Sequence, residues 1–109
     1  IGAPTPARAI AAACIEIARQ LIADPEKSGT YHFAGQPETS WAGFATEIFT
    51  AAEIPCAVAE IPTSAYPTSA SRPLNSRLDC HRLETVFGID RPDWQSGLKD
   101  ILKDLGERA

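Results

Sequence analysis

The polar side chains best suited to bind a ligand lie in one short stretch, residues 72–77, which reads Arg-Pro-Leu-Asn-Ser-Arg. A guanidinium beside a conformationally fixed proline can donate paired hydrogen bonds to a diphosphate, while Asn75 and Ser76 add neutral hydrogen-bonding groups. Arginines are mostly exposed in folded proteins whatever their role, so composition alone makes this a weak signal. The stretch is therefore one candidate anion site, with Arg72 and Arg77 as its cations.

Signatures of catalysis are missing from the sequence. There is no glycine-rich dinucleotide or P-loop pattern, no G-x-S-x-G and no H-E-x-x-H, and the two histidines, His32 and His81, lie far apart. The three cysteines, Cys14, Cys56 and Cys80, have no zinc-site spacing and are odd in number. We therefore expect no catalytic, cofactor-binding or metal-binding residue in this chain, no disulfide framework, and a reducing cytoplasm as its location.

Length and charge narrow the class of protein further. The 109 residues suit one domain with one modest core. A formal charge of -4 argues against a nucleic-acid partner, because proteins that bind the phosphate backbone carry a basic face. No apolar run approaches the roughly 20 residues that a membrane span needs, so no membrane partner is expected. The first residues lack both an initiator Met and a signal peptide, which suggests a piece cut from a longer chain.

Four helices are predicted to position the polar stretch. The first covers residues 7–23, with Thr5 as cap, Pro6 at the first helical position, and an apolar stripe that needs a partner surface. That stripe consists of Ile10, Cys14, Ile17, Ala18, Leu21 and Ile22, with Cys14 expected to be buried. The second helix starts at Trp41, which we interpret as a core residue, with stacking on a ligand ring as the alternative. A third helix ends at Gly88, and a fourth begins after residues 91–93.

Two short strands are predicted between the helices. Residues 30–34 alternate in polarity and are rich in β-formers, and residues 57–61 form a short run between two prolines. The resulting order predicts an α/β fold, a small mixed lobe of about four helices and two or three short strands. Residues 62–73 contain three prolines and little to bury, so we expect a long loop with a role in ligand contact.

Several motifs together resemble the carboxy-terminal part of the dTDP-4-dehydrorhamnose reductase family, a branch of the extended short-chain dehydrogenases. Each motif is weak alone, but their order covers essentially the whole chain. The matching stretches are GAPTPA at residues 2–7, GTYHFAG at 29–35, TSW at 39–41, IPTSAYPT at 61–68, RPLNSRLD at 72–79 and PDWQSGL at 92–98.

The resemblance implies a substrate-binding domain over residues 1–109. Its intact protein would use NADPH or NADH to reduce dTDP-4-dehydro-L-rhamnose to dTDP-L-rhamnose. It further implies substrate contacts at Pro4, Thr5, Arg72, Asn75, Ser76 and Arg77. The family's catalytic Y-x-x-x-K is absent, because Gly35 follows Tyr31 by four positions and Ala70 follows Tyr66. The amino-terminal NAD(P)-binding Rossmann domain would therefore lie outside this chain, which we expect to be inactive alone.

Several alternatives stay open at this stage. The chain could be the lobe of a related nucleotide-sugar epimerase or dehydratase, or a noncatalytic relative that keeps the fold as a protein-binding subunit. The preference between NADH and NADPH and the involvement of Mg²⁺ in the intact enzyme are also open. Because a separated lobe would expose the face that met the cofactor domain, and a strand edge at residues 30–34, we expect self-association or a homodimer.

Overall fold

A computed structural model describes residues 1–106 of the protein. The four predicted helices are present, and two short 3₁₀ turns accompany them. The helices are α1 (Ala7–Ala23), α2 (Trp41–Ala51), α3 (His81–Phe87) and α4 (Trp94–Asp104), and the turns are Pro25–Lys27 and Thr63–Ala65. None of the helices among these residues is long and apolar enough to cross a membrane.

Local sequence signals explain where most helices begin and end. The Ser40 hydroxyl accepts a hydrogen bond from the Gly43 amide at 3.1 Å, which caps α2. The Asp93 carboxylate accepts from the Gln95 amide at 3.0 Å and caps α4. Gly88 ends α3 in the left-handed region with φ 69°, a conformation that glycine adopts without steric cost.

The start of α1 differs from the prediction. Pro6, not Thr5, is the residue at the N-cap position, and no side chain caps the helix. The Thr5 hydroxyl instead accepts a hydrogen bond from the Gly35 amide at 3.0 Å. The expected cap is therefore wrong, because a more distant backbone donor engages the hydroxyl.

The main core lies between α2 and α4. Trp94, Leu98 and Leu102 of α4 are buried and pack with Ala52, and partly buried side chains of α2, including Phe44, complete the cluster. The Phe44 and Trp94 rings meet edge to face, with centroids 5.5 Å apart. Trp94 also donates its indole Nε1–H to the Pro37 carbonyl at 2.6 Å, so this buried residue holds the chain segment before α2.

A second, smaller packing region surrounds α3. Leu83 and Phe87 are buried. Tyr31 meets the Phe87 ring edge to face at 4.9 Å, and Gln20 of α1 donates from its side-chain amide to the Phe87 carbonyl at 2.9 Å. This region joins α1, the segment around Tyr31 and α3.

The prediction of strands at residues 30–34 and 57–61 is wrong, so the α/β class holds only for its helices. Among residues 1–106, β-pairing is limited to two isolated bridges, Gly2 with Thr39 and Gln36 with Asp93. Residues 30–33 do alternate in exposure, but Ala34, which the alternation would expose, is buried. A strand also needs a neighbour with which to form ladder hydrogen bonds, and alternation alone cannot supply one.

Only part of the predicted apolar stripe of α1 is buried. Ile17 and Leu21 are half-buried, but Ile10, Cys14, Ala18 and Ile22 are exposed, so the expected burial of Cys14 is wrong. The helix buries Ala13 instead.

The environment predicted for Trp41 is also wrong. It is 87% exposed, which contradicts its interpretation as core. Residues 53–79 are exposed throughout apart from the half-buried Val58, so the predicted loop at 62–73 is confirmed apart from the turn Thr63–Ala65.

Candidate functional site

The structure brings the first residues of the chain against the polar stretch at 72–77. The Ser76 amide donates to the Ile1 carbonyl at 2.7 Å, and the Ser76 hydroxyl donates to the same oxygen at 3.3 Å. The amino group of Ile1 donates to the Leu74 carbonyl at 2.6 Å. Two segments that are more than 70 positions apart in sequence thus form one surface.

The other side of the same extended segment is held by the turn before α2. Gly2 and Thr39 exchange two backbone hydrogen bonds, at 3.0 and 2.8 Å. A methyl group at Gly2 would meet the Ser76 hydroxyl, so the absence of a side chain allows the two backbones to approach. Residues 1–2 therefore lie between the turn that contains Thr39 and the polar stretch that contains Ser76.

Arg91 fixes this turn to the rest of the molecule. Its guanidinium donates to the Ala34 carbonyl at 3.2 Å and to the Gly35 carbonyl at 2.5 Å. Next to it, the Gln36 amide donates to the Pro92 carbonyl, and the Trp94 amide donates to the Gln36 carbonyl. These hydrogen bonds attach the turn to the start of α4, whose Trp94 is buried in the core.

Pro4 and Thr5, two of the residues expected to contact substrate, are half-buried beside this turn. The Thr5 hydroxyl accepts from Gly35 and donates to the Ala3 carbonyl at 3.4 Å. Gly35 has no room for a side chain, since a methyl group there would overlap the Pro4 carbonyl oxygen. These contacts give Pro4 and Thr5 a structural role, and their contact with substrate stays a prediction.

The two arginines of the polar stretch differ in their surroundings. Arg77 donates from its Nε to the Asn75 side-chain oxygen at 2.9 Å, and its guanidinium lies 3.8 Å from a Glu38 carboxylate oxygen. The Asn75 oxygen also accepts from the Arg77 amide at 3.1 Å. Arg72 is exposed, and among residues 1–106 it has no hydrogen bond or ion pair. Arg72 is therefore the cation that is free to meet an anionic ligand.

An open concavity of about 480 Å³ lies beside Arg77. Both cationic and anionic side chains line it. Its lining consists of Glu38, Arg77, Leu78, Asp79, Cys80, His81, Glu84 and Arg91. Glu38 lies between the two arginines, 3.9 Å from Arg91 and 3.8 Å from Arg77.

Sequence reasoning missed both Glu38 and Arg91. Neither belongs to a motif, and each meets its partners across about forty or more positions of chain. The cis peptide bond between Gln36 and Pro37 lies in the same turn.

The residues that the structure describes do not fit a nicotinamide cofactor. Within 1–106 there is no strand followed by a glycine-rich turn and a helix, which is the arrangement that holds a dinucleotide diphosphate. Tyr31 donates its hydroxyl to the Lys27 carbonyl at 2.5 Å, and Tyr66 lies in the exposed loop. The same residues contain no group of three or more His, Cys, Asp or Glu side chains that could hold a metal ion.

The helical fold with its joined terminal and polar segments matches a known class of domain. The chain belongs to the RmlD substrate binding domain family, whose pattern matches residues 1–107.

Individual relatives narrow the comparison. The chain is 42% identical over 108 residues to a dTDP-4-dehydrorhamnose reductase of Aggregatibacter actinomycetemcomitans, which covers 93% of this chain and 37% of that protein. It is 37% identical over 110 residues to the dTDP-4-dehydrorhamnose reductase of Escherichia coli K12, with 95% and 37% covered. A third relative, methionine adenosyltransferase 2 subunit beta of Bos taurus, is 31% identical over 99 residues, with 91% and 30% covered. The chain thus spans little more than a third of the length of the two reductases and 30% of the length of the third relative.

Proposed function

We propose that this chain is the substrate-binding part of a reductase that converts dTDP-4-dehydro-L-rhamnose to dTDP-L-rhamnose. The observation that carries the proposal is the pair of hydrogen bonds from Ser76 to the Ile1 carbonyl, which makes one surface of the two segments expected to meet the substrate. Similarity to reductases over more than nine-tenths of the chain supports the same assignment.

In this proposal the residues have different roles in substrate binding. Arg72 pairs with the diphosphate of the dTDP-sugar, because an exposed guanidinium without an internal partner can donate two parallel hydrogen bonds to it. Asn75, Ser76 and Arg77 shape the adjoining surface, and Pro4 and Thr5 border it. Hydride donor, proton donor and cofactor site would belong to an amino-terminal NAD(P)-binding domain outside this chain, and the chain alone would not turn over substrate.

NADPH and NADH both fit this proposal, since the residues that would choose between them lie outside the chain. Any Mg²⁺ in the intact enzyme would likewise be held by residues outside this chain. We place the protein in a reducing cytoplasm because Cys14, Cys56 and Cys80 are all free thiols.

The test is the activity of the intact protein with dTDP-4-dehydro-L-rhamnose and either nicotinamide. Oxidation of the nicotinamide with formation of dTDP-L-rhamnose is expected. Conversion of another nucleotide sugar in its place would indicate an epimerase or dehydratase.

A second function is favoured by one relative, the subunit beta of methionine adenosyltransferase 2. A protein of that kind would use the same fold to bind another protein. An upstream sequence without Y-x-x-x-K, together with a failure of the intact protein to oxidise NADPH or NADH, would support that function.

A further inference from the structure

We infer that Glu38 is a positioning residue for the polar stretch at 72–77, acting through Arg77. The part of this inference that concerns ligand affinity rests on the proposed function. Its structural part concerns the ligand-free protein and stands on the contacts alone.

Glu38 itself has a fixed location. It lies in the turn that Arg91 holds by hydrogen bonds to Ala34 and Gly35. The Arg91 side chain is 17% exposed, and its third contact is with the Glu38 carboxylate at 3.9 Å. Because the neighbouring Thr39 also pairs with Gly2, the backbone on both sides of Glu38 is tied to other segments.

The Arg77 side chain is 49% exposed and lies at the end of a long exposed segment. Two groups orient its guanidinium: the Asn75 side-chain oxygen accepts its hydrogen bond within the same stretch, and the Glu38 carboxylate outside the stretch forms an ion pair with it. Glu38 is thus the partner of Arg77 that connects the stretch to the turn before α2. The order of contacts runs from Arg91 through Glu38 to Arg77.

The ligand surface depends on Arg77 through residues 75–77. Asn75 accepts from the amide and the guanidinium of Arg77, so the position of Arg77 sets the conformation of residues 75–77. Ser76, between them, makes the hydrogen bonds to Ile1. Loss of the Glu38 carboxylate should therefore loosen this stretch and the surface that it forms with residues 1–5, without removing any group that touches the ligand.

The structural test is amide hydrogen exchange at Ser76 in the ligand-free protein. Glu38→Gln removes the charge and keeps the size of the side chain, and exchange at the Ser76 amide should become about two- to fivefold faster, the range for a partly exposed ion pair. The control is Glu60→Gln, which removes the same charge from the exposed segment. An unchanged Ser76 amide in Glu38→Gln would overturn the inference.

The functional test is a double-mutant cycle on the affinity of the intact protein for dTDP. Glu38→Gln should weaken binding by about two- to fivefold in the wild-type background and leave it unchanged in an Arg77→Gln background, because the effect passes through Arg77. An equal loss in both backgrounds would indicate a structural role unrelated to Arg77. Tighter binding of dTDP by Glu38→Gln would show that Glu38 competes with the phosphates, and would also overturn the inference.

The two tests separate this inference from the proposed function. If the wild-type protein fails to bind dTDP, the proposed function is wrong, and the exchange of the Ser76 amide still decides the role of Glu38. If dTDP binds and Glu38→Gln changes neither the affinity nor the exchange, the inference alone fails.

Discussion

Ser76 donates two hydrogen bonds to the carbonyl oxygen of Ile1, from its amide at 2.7 Å and from its hydroxyl at 3.3 Å. The two residues are 75 positions apart in the chain. Their contact makes neighbours of the two segments for which family resemblance implies substrate binding, and neither segment alone offers more than a few polar groups.

Replacement of Arg72 should weaken the binding of dTDP-sugars. Arg72→Ala in the intact protein removes an exposed cation that has no partner within residues 1–106, and we expect an affinity loss of about 10- to 100-fold, or roughly 1.5–3 kcal/mol. Calorimetric titration measures it. The matched control is Arg19→Ala, since Arg19 is an exposed arginine of α1 paired with Glu16. A binding isotherm that Arg72→Ala leaves unchanged would refute the assignment.

Gly35 should tolerate no side chain. Gly35→Ala places a methyl group on the Pro4 carbonyl oxygen, a backbone atom that cannot move aside, and we expect the free energy of unfolding to fall by about 2–4 kcal/mol. Chemical denaturation measures the change. Gly88→Ala is the comparison, because nothing lies within 4 Å of its added methyl group and only the positive φ is unfavourable. We expect it to cost about 1 kcal/mol, and an equal loss in both variants would contradict the close contact at Gly35.

The two tryptophans should differ sharply in their contribution to stability. Trp94 is 3% exposed and anchors both the core and the Pro37 carbonyl, so Trp94→Ala should cost about 3–5 kcal/mol. Trp41 is 87% exposed, and Trp41→Ala should change the free energy of unfolding by less than about 0.5 kcal/mol. Thermal or urea unfolding of both variants decides this. Similar losses would mean that Trp41 is packed in solution.

The exposed face of α1 should cause the isolated chain to self-associate. Ile15 and Ile22 lie two turns apart on that helix and are 72% and 84% exposed, an apolar surface that favours contact with a second copy. Sedimentation velocity should show dimers or larger species at high concentration. A variant with Ile15→Lys and Ile22→Lys should sediment as a monomer, whereas Leu105→Lys, at the residue that follows α4, should not. Monomers alone across a wide range of wild-type concentrations would contradict this prediction.

The sequence predicts the local features of the fold well. The end of α1, the starts of α2 and α4 and the turn at Gly88 depend on residues within a few positions of one another, so their chemistry can be recognised directly. The helical spacing predicts an apolar seam on α4 made of Trp94, Leu98, Ile101, Leu102 and Leu105. Trp94, Leu98 and Leu102 are buried, but Ile101 and Leu105 are exposed, so the seam is predicted only in part.

Features that depend on distant partners are predicted poorly. Residues 30–34 have a strand-like pattern, but a strand forms only where a neighbouring segment supplies ladder hydrogen bonds. The exposure of Cys14 and Trp41 depends on which surfaces meet these side chains. For the same reason the Glu38 and Arg91 contacts were missed, because no short-range pattern marks an ion pair between residues so far apart.

The most direct test of the central claim is a titration of the isotopically labelled protein with dTDP, followed by the backbone amide signals in NMR spectra. If residues 1–5 and 72–77 form the ligand surface, the amides of Gly2 and Ser76 and their neighbours should shift together with one dissociation constant. The amide signals of α1, which follows Thr5 in the chain, should not shift. Spectra that do not change at saturating dTDP, or shifts confined to α1 and α4, would contradict the account.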